Sequence, residues 1–164
     1  MGRPPRNYCS NSIYHLTSHG VDDRPIFLDD VDRQGFAIRL ARVARDHSWQ
    51  IFAACLLDTH HHLVVQPTLG RVGEGMRVLN GAHSRAFNRR HERRGALFES
   101  RYEDREIRDD EHLANAIDYV EFNAVSAGMV KAVEDWPWST HRKCPMRTIL
   151  IAHLAPEVSY AAGT

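Results

Sequence analysis

This sequence predicts an α+β fold built on an antiparallel sheet, and three observations predict it. Short runs rich in β-branched and aromatic residues recur along the chain, two of these runs are separated by only two residues, and the intervening stretches place apolar residues every three to four positions. A two-residue connection makes its flanking strands antiparallel, and helices between strands must bury their apolar stripe on the sheet.

The first run, Ile13 to Ser18, is followed by Gly20 and reads as a strand. Asp29 or Asp30 then caps a helix whose apolar positions are Phe36, Ala37, Leu40, Ala41 and Ala44, ending near His47. Gln50 to Leu57 and His60 to Pro67 form a hairpin turning at Asp58 and Thr59, although the turn lacks the glycine that tight hairpins prefer. Val72, Met76, Leu79, Ala82, Ala86 and Phe87 trace a second helical stripe that closes near the charged segment Arg89 to Arg94 and the breaker Gly95. Leu97 to Ile107 reads as a further strand with polar interruptions. Asp109 or Asp110 caps a third helix carrying Leu113, Ile117, Val120 and Ala124, which Gly128 terminates. The order strand, helix, strand, strand, helix, strand, helix is that of a ferredoxin-like or RRM-like sheet with helices packed on one face. After Trp136, Pro137 and Trp138, the stretch 142–164 reads as an irregular tail.

At 164 residues the chain accommodates one domain, 1–164, with its core at about 8–141. Its apolar runs are too short to span a bilayer and no cleavable leader is recognised, so a cytoplasmic location is expected. Cys9, Cys55 and Cys144 are odd in number and widely spaced, which fits reduced, structural thiols better than a disulfide framework or a zinc ribbon. The formal net charge is zero, which by itself argues against a nucleic-acid partner. Its distribution says more: all of the 21 basic residues except Lys131 and Lys143 are arginine. Arg77, Arg85, Arg89, Arg90, Arg93 and Arg94 meet a single acid, Glu92. Such a run forms either a phosphate-binding face or an ordinary solvated helix face.

The chemistry-bearing feature is the triplet His60, His61, His62 inside an apolar strand. Side chains alternate along a strand, so His60 and His62 point the same way and can offer two imidazole nitrogens to one divalent cation, while His61 turns to the other face. Read alone, the triplet is more readily an exposed sheet edge or an accidental run. Tyr119 and Asn123, four residues apart on the last helix, share a face. An Asn123 amide oxygen can complete the protein ligands, leaving the Tyr119 phenol one turn away, near any phosphate that the cation binds. A neutral phenol is a poor nucleophile, and a cation that polarises phosphorus and offsets transition-state charge supplies part of its activation.

The segments IYHLTSHGVDDRPIF, LLDTHHHLVV, FNRRHERRGALFESRY, AIDYVEFNAVSAGMV and WPWST resemble, in that order, the REP-associated tyrosine transposases, IS200-like members of the single-tyrosine HUH superfamily. The resemblance implies that His60 and His62 bind Mg²⁺ or Mn²⁺, that Tyr119 is the nucleophile, and that Asn123 occupies the position of a third ligand. It also implies a 5′-phosphotyrosine intermediate with a free 3′-hydroxyl, so that rejoining needs no ATP. The implied partner is single-stranded DNA folded into REP-like hairpins, with Arg85, Arg89, Arg90, Arg93, Arg94 and Arg101 as candidate phosphate contacts; Phe98 or Tyr102 could stack a base, although both read more readily as core residues. A homodimer with composite active sites is left open.

Three positions depart from the family pattern: His61 replaces a hydrophobe, Thr59 an asparagine and Ala124 a proline. None removes a ligand, but His61 on the helix-covered side needs a hydrogen-bond partner. His15 and His19 read as structural, and Trp136 and Trp138 as packing residues. Two other functions compete: a catalytically silent, domesticated DNA-hairpin-binding protein, and a relaxase or replication initiator using similar histidine and tyrosine chemistry.

Overall fold

The computed structural model describes Arg6 and residues 8–154. Strands β1 (Ile13–His19), β2 (Trp49–Leu56), β3 (His60–Pro67) and β4 (Glu103–Ile107) form one antiparallel sheet in the order β2-β3-β1-β4. The helices are α1 (Asp30–Asp46), α2 (Val72–Arg90), α3 (Asp110–Glu121), α4 (Asn123–Ser126) and α5 (Pro145–Leu154). The expected α+β class and the β2–β3 hairpin are both observed, with the Leu57 N–H donating to the His60 carbonyl at 3.0 Å across the turn. The helix starts follow the carboxylates. Asp29 accepts from the N–H groups of Val31 and Asp32 at 3.1 Å each, and Asp109 from that of His112 at 2.7 Å. Gly128, at φ +72°, follows α4 as the expected stop.

The sheet buries both faces. Tyr14 and Leu16 of β1 and Leu63 and Val65 of β3 pack with Phe36 and Leu40 of α1 and with Met76, Leu79 and Phe87 of α2. On the other face, Ala53 and Cys55 of β2, Val64 of β3 and Ile107 of β4 pack with Ala116 and Val120 of α3 and Ala124 of α4. Helices α1 and α2 share one face, but α3 and α4 cover the opposite one, so the expectation of helices on a single face holds only for the first two. The reason is legible in β2 and β3, whose Ala53 to Leu56 and Leu63 to Val65 are apolar at consecutive rather than alternate positions, giving each face something to cover.

Two further expectations are corrected. The strand expected over 97–107 is regular only at Glu103–Ile107. Upstream, Glu99 N–H donates to the His19 carbonyl and Val21 N–H to the Leu97 carbonyl, both at 3.0 Å, but residues 100–102 leave the ladder before β4 resumes opposite Thr17. The tail expected to be irregular contains α5 at residues 145–154; only 155–164 lie outside the described residues. Pro145 sits where a helix tolerates a missing N–H, and Met146 and Leu150, one turn apart, join the core beside α1. Trp138 anchors the approach, its indole N–H donating to Asp30 at 2.8 Å. Among the described residues no helix is long and apolar enough to cross a membrane.

Candidate active site

Residues of β1 and β3 that alternate away from the α1–α2 core meet on the α3 side of the sheet. The register pairs Thr17 with His62 and His19 with His60, so His15, Thr17 and His19 line up beside the two histidines. Helix α3 contributes His112, Asn115, Ala116 and Tyr119, whose spacing of three and four residues defines one helical face. Glu103 and Arg105 of β4 form a further wall of a cleft of about 490 Å³.

Within it, the rings of His60 and His62 lie 5.0 Å apart, and His19 stacks on His60 at 4.9 Å. Tyr119 packs edge-on against His62 at 5.7 Å and His15 at 5.9 Å, yet remains 55% exposed. His62 Nδ1 shares hydrogen bonds with His15 Nε2 at 2.9 Å and Thr17 Oγ1 at 3.2 Å, and His60 Nδ1 shares one with Thr59 Oγ1 at 3.1 Å. Both δ nitrogens are thus engaged, which orients the rings with Nε2 as the nitrogen left for a ligand. Burial pushes His62 down to about 2 and also lowers His60 and His15, with neighbouring imidazoles adding to the first two and Arg105 to the third. All three are therefore neutral at physiological pH, the state in which imidazole donates a lone pair.

This donor set fits a divalent cation through two imidazoles. Among the described residues no three histidine, cysteine or carboxylate side chains converge as a ligand group, so the remaining positions would fall to an amide, water or phosphate oxygen. Of the residues singled out from sequence, His60, His62 and Tyr119 come together in the cleft. Asn123 does not line it: α3 ends at Glu121, Phe122 adopts ψ 4°, and the bend turns Asn123 inward, where it is 8% exposed. Asn115, four residues before Tyr119 instead of four after, faces the cleft. The same i±4 rule that selected Asn123 selects Asn115 as well. His15 and His19, which read from sequence as structural, also line the cleft, as do Thr17 and Arg105, which the sequence reading does not single out although alternation along β1 and β4 is visible in it.

His61 turns to the other face, packs tilted against Phe36 at 4.8 Å and donates from Nε2 to Asn80 Oδ1 at 3.1 Å, which pairs one of its two ring nitrogens and leaves Nδ1 buried without a partner among the described residues. The arginines divide into two groups. Arg90 is tied to Asp29 at 2.6 Å and Asp32 at 2.8 Å, and Arg93 holds its own loop through Asn88 and the Ala96 carbonyl. Arg85, Arg89, Arg94 and Arg101 are exposed and form no ion pair among the described residues.

The histidine pair and the tyrosine face one cleft on an antiparallel sheet, and residues 8–123, which contain all three side chains, match the family model of IS200-like transposases. The chain belongs to that family. Among its relatives is a Haemophilus influenzae protein named as a REP-associated tyrosine transposase, 26% identical over 154 residues and covering 87% of each chain. The structure of a REP-associated tyrosine transposase bound to a REP hairpin superposes with a TM-score of 0.74 at 23% identity, over 100% of this chain and 98% of that one. A Deinococcus radiodurans structure described as a transposase gives 0.50 at 20% identity, over 73% of this chain and 96% of the other. Both structures share the fold.

Proposed function

We propose that this chain cuts and rejoins single-stranded DNA carrying REP-like hairpins, with Tyr119 as nucleophile. The observation that carries the reading is the placement of the half-exposed Tyr119 phenol against the His62 and His15 rings in one cleft. The phenol oxygen attacks a backbone phosphorus, giving up its proton; the P–O3′ bond breaks and the departing 3′ oxygen takes up a proton. The products are a 5′-phosphotyrosine and a free 3′-hydroxyl, and attack by another 3′-hydroxyl reverses the step on a new strand.

His60 and His62 would hold Mg²⁺ or Mn²⁺, which when bound polarises the scissile phosphate and offsets the charge that develops there. His15, Thr17 and Thr59 keep the two rings in place. Asn123 can join only by turning out of its buried position, so the histidine pair is the primary ligation. Among the described residues Arg105 is the one lysine or arginine lining the cleft, positioned to take a phosphate oxygen. Arg85, Arg89, Arg94 and Arg101 are the contacts for the flanking DNA backbone.

The test is incubation of the wild type and Tyr119→Phe with labelled hairpin DNA and Mg²⁺ or Mn²⁺, followed by a denaturing gel. A covalent adduct in the wild type alone, with hairpin binding retained in both, is expected. Tight binding without an adduct in either protein makes this a silent hairpin-binding protein.

A further inference from the structure

The interruption of the ladder at residues 100–102 leaves an opening on the face away from the histidine cleft. Between this segment and the N-terminal half of α2 lies a groove of about 530 Å³, within the size range of small-ligand pockets. Its floor is Met76 and Phe98, and its walls carry Arg77 and Arg101. Both arginines are exposed, and neither meets a carboxylate among the described residues. Space exists there because Gly73 has no side chain: a Cβ would meet only the Tyr102 hydroxyl, at 3.6 Å.

The polar groups within the groove are already committed. Asn80 accepts from His61 and donates to Ser18 at 2.9 Å, the Ser100 hydroxyl donates to the Arg101 carbonyl at 3.0 Å, and the Tyr102 hydroxyl is bonded to that of Tyr8 at 2.6 Å. The groove therefore offers an apolar lining, chiefly the half-buried Phe98 ring, and two guanidinium groups without a carboxylate among the described residues, but no uncommitted side-chain group to read a base edge.

We propose that this groove receives one unpaired nucleotide of the single strand adjoining the hairpin, its base lying on Phe98 and Met76 and its phosphates between Arg77 and Arg101. The inference rests on the DNA reading above and adds a second, sequence-tolerant point of attachment on the opposite face of the sheet. Two cations flanking an apolar floor complement the anionic edges and the flat body of a nucleotide, and stacking without base-edge hydrogen bonds accepts any base. The groove adjoins residues 97–99, which pair with His19 to Val21 at the end of the strand that carries His15, Thr17 and His19 into the histidine cleft.

The test compares binding of a blunt DNA hairpin with that of the same hairpin bearing a short single-stranded oligo-dT or oligo-dA extension at either end. The wild type is expected to bind an extended hairpin about tenfold more tightly, the size of one stacked base, and equally for dT and dA. Gly73→Leu, which fills the groove while favouring the helix, removes that gain, and Arg77→Gln lowers it and reduces its salt dependence. A gain that survives both substitutions, no gain in the wild type, or a gain confined to one base overturns the proposal. Adduct formation on the same hairpins is scored separately: its absence with the gain intact removes the strand-transfer reading and leaves the groove, whereas an adduct with an unaltered gain removes the groove alone.

Discussion

His15 Nε2 lies 2.9 Å from His62 Nδ1, across the β1–β3 ladder. One imidazole thereby orients another, and the Thr17 hydroxyl, 3.2 Å from the same nitrogen, completes the support. Outer partners of metal-binding histidines commonly carry about 10- to 100-fold of the affinity. His15→Phe is accordingly expected to weaken Mn²⁺ binding by about that factor in calorimetric titration, and raised Mn²⁺ should restore adduct formation. Unchanged Mn²⁺ affinity would remove His15 from the site.

Arg105 stands opposite His15 in the β1–β4 register and lines the cleft on its open side. If it takes a phosphate oxygen as charge develops, Arg105→Gln should slow adduct formation about a hundredfold while changing hairpin affinity far less. Arg105→Lys should recover part of the rate. Equal losses in binding and rate would make it an ordinary backbone contact.

Arg89 and Arg90 are neighbours with different surroundings. Arg90 is held by Asp29 and Asp32 at the start of α1, and these partners, the Asp29 carboxylate first, raise its pKa; Arg89 forms no ion pair among the described residues. The slope of log affinity against log salt should fall by about one in Arg89→Ala and stay unchanged in Arg90→Ala, which should instead lower the thermal transition.

His83 is buried among Phe27, Phe36 and Phe87, with Nε2 2.7 Å from the Ile26 carbonyl. Burial pushes it down from 6.5 to about 4. Below pH 6.5 the unfolded chain takes up a proton that the native site refuses, so stability that is complete above this pH is lost as pH falls toward 4, at up to about 1.4 kcal/mol per unit. Denaturant titrations across this window should show His83→Leu with a slope about one proton shallower than the wild type. An unchanged slope would mean that His83 is charged in the native state.

The sequence reports most reliably where local chemistry decides. Asp29 and Asp109 cap helices, two residues close the hairpin, and alternation in β3 separates His61 from His60 and His62. It reports poorly where a partner distant in sequence decides. α5 is too brief and weakly patterned to announce itself, and becomes a helix by burying Met146 and Leu150 against α1. The break at residues 100–102 is invisible because Leu97 to Ile107 retains strand-like composition. Asn123 leaves the face that its spacing from Tyr119 predicts because Phe122 bends the chain where a uniform helix would continue. The arginines were read as one group, although Asp29 and Asp32, far away in sequence, withdraw Arg90 from it.

The Asn80 amide that meets His61 also bears on how the chain avoids error. A hairpin that slid by one residue would turn two imidazoles into the apolar layer beneath α1 and α2, where one amide waits, and would leave a single imidazole on the outer face. The misaligned form would bury a polar ring without a partner, a cost of about 1–3 kcal/mol, so the wrong alignment is expelled during folding by the same triplet that equips the right one.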